Sequence, residues 1–245
     1  MENEITKKEE TALARPSERP RGFEEGTAKE DLIIPRMKLL QFMSPEVTEE
    51  PDKFKAGSIL NSLTKEVLSD RFIPIFKFTQ WIRFNPRDEK APGYDPAFAP
   101  GAVIWRSTDP EDPKVISEGA FGENGEVPLA TKFLCFFSYF PGVDMPIIVS
   151  FSKTSIKAGR RLLSLCKFAN CDMFARAYKI KTVKETKDLG GTKATYYVLS
   201  VDPAGKPTED EFAFAEGLWN DFHAKPVQVH EDDLAGEEGE ERVPF

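Results

Sequence analysis

The feature that most constrains the fold is a run of aromatic and β-branched residues from Arg71 to Phe84. Such residues fit a pleated, half-buried surface and are enriched in strands. Because successive side chains of a strand point to opposite faces, the run divides into two sets. Phe76, Phe78, Gln80, Ile82 and Phe84 form a core-like set, and Lys77, Thr79, Trp81, Arg83 and Asn85 form the other. We therefore predict one long strand with a buried face and a binding face.

Weaker patterns predict the elements around this strand. Further strands are expected at residues 57–61, 102–106, 132–140 and 146–151, with a hairpin formed by residues 173–184 and 193–201. Thr154 is expected to cap a helix that runs to about Phe168, and Thr208 a second helix with Glu211 at capping-box spacing. Residues 85–101 and 107–128 are rich in Pro, Gly and Asp and read as loops. Residues 32–42 are either extended or a short helix.

These elements predict a mainly β fold with two helices, either β-barrel-like or α+β. The 245 residues fit one large domain with extensions. We expect a disordered N-terminal arm at residues 1–30, a single domain at 31–226 and a flexible acidic tail at 227–245. The two end segments contain too few apolar residues to offset the entropy of ordering them.

Acidic residues are concentrated at the two ends of the chain. The whole chain carries a net charge of −8, of which residues 231–245 contribute −6 and residues 1–31 contribute −3. The remaining body, residues 32–230, is therefore close to neutral at about +1. A nucleic-acid-binding protein whose acidic tail screens its own basic residues has this asymmetry. Many proteins whose acidic ends only keep them in solution have it too.

The acidic tail ends in an apolar tip. Its acids include Asp232, Asp233, Glu237, Glu238, Glu240 and Glu241, and the tip is Val243-Pro244-Phe245. An apolar pair, a stiff proline and a free carboxylate suit a partner with a hydrophobic pocket rimmed by Lys or Arg. The alternative is a solubility device that ends in Phe by chance.

An acidic tail with a Pro-Phe tip resembles the tails of bacterial single-stranded DNA-binding proteins, and similar tails ending in Phe occur in T7-type phage proteins of that class. The resemblance covers about the last fifteen residues, and Arg242 departs from it by interrupting the acids before the tip. It implies an OB-like barrel, here with long loop insertions, that binds single-stranded DNA. It also implies that the tip contacts replication or recombination proteins and that the chain could form a homo-oligomer.

Aromatic residues in the body are interleaved with bases. Nucleic-acid bases stack on aromatic rings, while Lys and Arg contact phosphates and release counterions. The candidate nucleic-acid-binding residues are Lys77, Trp81, Arg83, Arg87, Trp105, Arg106, Lys153, Lys157, Lys179 and Lys181. The structural alternatives are a Trp packed under a guanidinium as ordinary surface cover, and helix bases that form only a solvated face.

Other function classes receive little support from the sequence. There is no complete phosphate-binding loop, G-x-S-x-G elbow or H-E-x-x-H motif, and both histidines lie beside or within the tail region, so we expect no catalysis and no cofactor. An odd count of three cysteines fits a reducing compartment, and a zinc site at Cys166 and Cys171 is only weakly indicated. The longest apolar run, at residues 133–137, is too short to span a bilayer, so a cytoplasmic protein without a membrane partner is expected.

The sequence therefore predicts a protein that coats and protects single-stranded DNA, without sequence preference, during phage or bacterial replication and recombination. In this prediction the tail acids compete with DNA and the tip recruits partner proteins. Two alternatives stay open. One is a non-enzymatic protein-interaction or virion-associated structural protein, and the other is a strand-annealing recombinase.

Overall fold

A computed structural model of the protein describes residues 34–122, 125–189 and 192–223. Within these residues the strands are β1 (Met37–Leu39), β2 (Ile59–Asn61), β3 (Arg71–Phe84), β4 (Val103–Ser107), β5 (Ala130–Tyr139), β6 (Ile147–Phe151), β7 (Tyr178–Leu189) and β8 (Thr192–Pro203). The α-helices are α1 (Pro45–Glu49), α2 (Pro113–Glu118), α3 (Ile156–Phe168) and α4 (Glu209–Phe222). Short 3-10 turns lie at Lys153–Ser155 and Met173–Ala175.

The long strand β3 organises the larger sheet. One edge of β3 pairs with β5 from Ile73 to Arg83. The other edge pairs with β7 at Arg71 and Phe72 and with β4 from Trp81 onward. The strand order is β6-β5-β3-β7-β8, with β4 beside the end of β3, and all these ladders are antiparallel. Strands β1 and β2 form a separate two-stranded sheet.

Alternating side chains give the larger sheet two apolar faces. On one face, Phe136 and Phe151 contribute to a core cluster that is covered by α3. Helix α3 approaches this face closely, because a Cβ added at Gly159 would lie 2.7 Å from the Cβ of Phe151. On the opposite face, Phe137 and Tyr139 belong to a second cluster that packs against α4. The long strand and both long helices therefore follow the predicted hydrophobic periodicity.

Helix α4 begins as its sequence predicts. The hydroxyl of Thr208 accepts a hydrogen bond from the backbone N–H of Glu211, and the Glu211 carboxylate accepts one from the backbone N–H of Thr208. This reciprocal capping box satisfies two N–H groups that a helix end would otherwise leave without partners. The apolar side chains predicted to face the sheet do so, namely Phe212, Phe214, Leu218, Trp219 and Phe222.

The same carboxylate ties α4 to the start of β3. The two terminal nitrogens of Arg71 donate to the two carboxylate oxygens of Glu211, the longer of these bonds being 2.9 Å. The hydrogen bonds from Arg71 are the largest cause that lowers the pKa of Glu211 below its ordinary value of 4.5. A carboxyl group whose pKa is depressed in the folded state stabilises the fold above its unfolded pKa, and loses that contribution as the pH falls through the folded pKa.

We therefore expect Glu211→Gln to lower the free energy of unfolding at pH 7 by about 1 kcal/mol, mainly through loss of the charge-assisted bonds from Arg71. The cap is largely kept, because Gln still offers an oxygen to the N–H of Thr208. The difference from wild type should shrink as the pH falls below 4.5, the ordinary value of this carboxyl group. Urea unfolding between pH 3 and pH 7 measures this. Glu216→Gln, at an exposed position of the same helix, is the matched control. A difference that grows on acidification contradicts the assignment.

The fold class is mainly β with helices, as predicted, and the α+β alternative describes it. No closed barrel is formed by the strands of the described residues. The gap between the edge strands β6 and β8 is spanned instead by the segment that contains β1. At one end of this segment the N–H of Ile148 donates to the carbonyl of Pro35 over 2.9 Å. At the other end, Gln41 bonds to the backbone of Tyr197 through its side-chain amide. A side-chain bridge of this kind does not continue a ladder, so the OB-like barrel is not seen.

Two details differ from the sequence prediction. Helices α1 and α2 were not predicted, because both are very short and lie in segments rich in turn-forming residues. Thr154 does not cap α3. It lies in the preceding 3-10 turn, and Ser155 occupies the N-cap position without a side-chain capping bond. The predicted N-terminal arm at 1–30 and tail at 227–245 lie outside the described residues, and the domain limits stay predictions.

Candidate nucleic-acid interface

Two predicted stacking residues, Trp81 and Trp105, form a small core with α2. Both side chains are 8% exposed and belong to one cluster. The indole nitrogen of Trp105 donates to Glu118 at the end of α2 over 2.7 Å. Gly119 lies against Trp81, because a Cβ at this position would be 3.0 Å from the Trp81 ring. The predicted open face at Trp81 is therefore wrong, since β4 and α2 cover it. We leave both tryptophans out of the proposed interface.

The predicted arginines near this core have different surroundings. Arg83 donates to the Glu118 carboxylate and, over 2.9 Å, to the carbonyl of Gly93, so its guanidinium is used in the fold. Arg106 is partly buried in β4, opposite Ile82. Arg87 is exposed in the loop after β3. The structure gives Arg83 a clear structural role, whereas contact of Arg87 or Arg106 with nucleic acid stays a prediction.

Lys77 lies on the predicted face of β3 and is exposed. Its ammonium group donates to the hydroxyl of Thr79 over 2.6 Å. Lys132 on β5 carries a like charge that acts on Lys77. The Lys132 ammonium group lies 5.2 Å from the centre of the Trp81 ring. Partial burial, followed by the like charge of Lys132, lowers the pKa of Lys77. A bound anion would relieve this repulsion, so Lys77 and Lys132 are compatible with a bound phosphate. Two bases alone make only a small site.

A larger group of bases lies on α3. The segment 153–168 contains five bases and no acid: Lys153, Lys157, Arg160, Arg161 and Lys167. The apolar side of the helix, including Leu162 and Cys166, is buried against the sheet. All five bases except the partly buried Lys153 are exposed. The helix therefore presents an acid-free basic side to solvent.

Contacts with β8 join this helix to the hairpin of β7 and β8. Arg161 donates to one carboxylate oxygen of Asp202 over 2.9 Å, and Lys181 donates to the other over 2.8 Å. The hydrogen bond from Lys181 is the largest cause that lowers the pKa of Asp202. The hydroxyl of Ser155 accepts a weak bond of 3.4 Å from the N–H of Leu199. The start of α3 and the middle of β8 are therefore neighbours.

These contacts define one basic surface that continues around the edge strand β8. Lys153, Lys157, Arg160 and Arg161 lie on the α3 segment, whereas Lys179 and Lys181 of β7 lie on the hairpin face opposite to Tyr178 and Ile180, which pack in the core covered by α3. Lys179 is paired in register with Asp202 and makes an ion pair of 3.4 Å with Asp70. The surface brings together four of the predicted binding residues, Lys153, Lys157, Lys179 and Lys181. The fold places Lys77 on a different strand of the sheet, and it separates the Trp81 core from solvent.

Metal and membrane sites receive no support from the described residues. Cys135 and Cys166 are buried, Cys171 is exposed, and burial raises the pKa of Cys166. Nowhere in 34–122, 125–189 or 192–223 do three or more His, Cys, Asp or Glu residues come together as a metal site would require. Among these residues, no helix combines the length and the apolar composition needed to cross a bilayer. The predicted tail residues, Asp232 to Phe245, lie outside the described part of the chain.

Comparison with known families identifies the class of this chain. The family model described as Pam3 phage gp34-like protein matches residues 6–228. This match covers most of the 245 residues, so the chain belongs to the Pam3 phage gp34-like protein family. Its role is phage-related. No curated protein and no solved structure matches the chain.

Proposed function

We propose that this phage protein binds single-stranded DNA without sequence preference through the basic surface of α3 and β7. One observation carries the proposal: an acid-free helix is held against the hairpin so that its bases continue onto β7. Arg161 and Lys181 meet on the shared carboxylate of Asp202, which fixes the two parts of the surface relative to each other. Lys153, Lys157 and Arg160 form no ion pair with a described residue and remain available for phosphates.

The chemistry of this surface suits the backbone of a single strand. Each neutralised phosphate releases condensed counterions, which favours binding at low salt and requires no particular base sequence. We further propose that the protein acts without catalysis. The described carboxylates with depressed pKa values support this, since each has a role in the fold: Glu46 pairs with Lys38, Asp112 caps α2, Asp202 joins α3 to the hairpin and Glu211 caps α4.

The acidic segment fits the same proposal as a competitor for the basic surface. Residues 231–245 carry a net charge of −6, opposite in sign to the surface that would bind DNA. Displacement of these acids by DNA would leave Val243, Pro244 and Phe245 free to contact replication or recombination proteins. Like-charge competition of this kind depends on ionic strength, because salt screens both interactions.

Fluorescence anisotropy of a labelled dT oligomer, titrated with the full chain across a range of salt concentrations, tests the proposal. We expect the affinity to fall with salt on a log–log slope of about −2 or steeper, because at least three bases are available and each phosphate contributes about −0.7. Replacing Glu237, Glu238, Glu240 and Glu241 together by Gln should strengthen binding at low salt by roughly tenfold. This gain should vanish at high salt. Absence of binding, or binding that ignores salt, contradicts the proposal and favours a protein-interaction role.

A further inference from the structure

Two aromatic rings that were not predicted as a site lie at the edge of β8. The ring centres of Phe42 and Tyr197 are 5.3 Å apart, with their planes inclined by 36°. The ammonium group of Lys184, on β7, lies 5.4 Å from the centre of the Phe42 ring. Phe42 is 42% exposed, whereas Phe72 and Phe136 of the core are fully buried. The pair is therefore a surface feature and not part of a core.

The backbone around the pair holds it rigidly. The side-chain amide of Gln41 donates to the carbonyl of Tyr197 over 2.9 Å and accepts from its N–H over 2.8 Å. Because Phe42 follows Gln41 directly, these two bonds hold the backbone of Phe42 beside that of Tyr197. Gly57 supports Tyr197 from another side, since a Cβ there would lie 2.8 Å from the ring. Gly57 has a φ of +91°, a conformation that favours glycine.

An aromatic pair that is partly exposed, with a cation beside it, is suited to a flat aromatic ligand. Little side-chain entropy is lost when such a ligand binds, because the rings are already ordered. Nucleobases have the required shape, and each base stacked on an aromatic side chain contributes roughly 1–3 kcal/mol to binding. A cation near an aromatic face adds a favourable electrostatic contribution and also attracts the adjacent phosphate.

The location of the pair connects it with the basic surface. Tyr197 is two residues before Leu199 in β8, and the N–H of Leu199 contacts the hydroxyl of Ser155. Lys153 is two residues before Ser155, so the start of the α3 bases lies near the ring pair. Phosphates of a bound strand could follow these bases while one of its nucleobases reaches the rings.

We propose that Phe42 and Tyr197 form a stacking site for a nucleobase of single-stranded DNA, with Lys184 as its adjacent cation. This inference rests on the proposed function, and it assigns the base contact that the buried Trp81 and Trp105 do not supply. The ligand class is a single-stranded nucleic acid with bases present. A strand with the same phosphates and no bases should not use this site.

The test compares full-chain Phe42→Leu with wild type on two labelled oligomers of equal length, one of dT and one of abasic residues. We expect Phe42→Leu to bind dT about tenfold more weakly, with an unchanged salt slope and unchanged affinity for the abasic oligomer. Phe98→Leu is the matched control, because Phe98 has a similar exposed fraction of 37% in the loop after β3. Equal losses on both oligomers, or no loss on dT, overturn the stacking site.

Photo-crosslinking provides an independent readout that does not depend on a variant. An oligomer containing 5-iododeoxyuridine should crosslink to Phe42 or Tyr197 of the wild-type chain, as identified by mass spectrometry. Crosslinks found only elsewhere overturn the inference. If wild type binds dT while both stacking tests fail, only this inference is lost. If wild type binds neither oligomer, the proposed function itself is wrong.

Discussion

Replacing Lys153, Lys157 and Arg160 together by Gln should weaken binding to a dT oligomer by about 100-fold at low salt. These three bases form no ion pair with a described residue, so removing them takes away phosphate contacts without breaking contacts of the fold. The loss of three phosphate contacts should make the log–log salt slope shallower by about 2. Arg161 is kept, because its bond to Asp202 joins α3 to the hairpin.

The control for this variant has the same change in net charge. Lys55, Lys90 and Lys114 are exposed and lie outside α3 and the hairpin. Their joint replacement by Gln should change affinity by threefold or less, because distant surface charges are screened at moderate ionic strength. Similar losses in the two triple variants would show that affinity follows net charge alone. If the α3 triple variant binds dT with wild-type affinity, the basic surface is not the DNA-binding site.

Trp81→Ala should lower the free energy of unfolding by about 3–5 kcal/mol, the range for replacing a large buried aromatic residue by alanine. The indole packs with Trp105 and Val115 and lies against Gly119, so its loss leaves a cavity at the corner formed by β3, β4 and α2. Trp81→Phe should cost less, because most of the ring volume is retained. Urea unfolding measures both changes.

The same variants separate packing from DNA contact at Trp81. We expect Trp81→Phe and Trp81→Ala to bind dT with wild-type affinity under conditions where both are folded. Near-ultraviolet circular dichroism, recorded on the samples used for binding, gives the folded fraction. A folded Trp81→Phe chain that binds dT tenfold more weakly contradicts the packing role and restores the contact predicted from the sequence.

The elements that were predicted correctly are those determined by local pattern. Strand β3 follows from its run of aromatic and β-branched residues, and α4 follows from a capping box and an apolar face. Both signals lie within a few residues of the structure they specify. The N-cap of α3 lies one residue later than predicted, because Thr154 and Ser155 are both suitable N-cap residues and the sequence does not show that a 3-10 turn comes first.

The binding face of β3 could not be derived in this way. Alternation places Trp81 on the opposite side from Ile82 but does not say what covers that side. The cover is α2, a helix of six residues within a segment rich in turn signals, and its last residue, Glu118, bonds to both Arg83 and Trp105. Burial of Trp81 is therefore a tertiary effect of a loop that the sequence shows only as a loop.

The contact between Phe42 and Tyr197 is even harder to predict from the sequence. Gln41 and Tyr197 are 156 residues apart, and their hydrogen bonds exist only because the β1 segment spans the gap between β6 and β8. The sequence of residues 32–42 is compatible with either an extended segment or a short helix, so it indicates no partner for Phe42. The exposed Phe is visible in the sequence only as one of 20 phenylalanines, most of which suit a core.

Lysine footprinting of the full chain with and without a dT oligomer tests most directly whether single-stranded DNA binds at the basic surface. An amine-acetylating reagent labels exposed lysines, and mass spectrometry gives the labelling of each one. We expect DNA to protect Lys153, Lys157 and Lys181 several-fold, while Lys55, Lys90 and Lys114 are labelled equally in both samples. Protection that is uniform, absent from the α3 segment, or confined to Lys55, Lys90 and Lys114 would contradict single-stranded DNA binding at the basic surface.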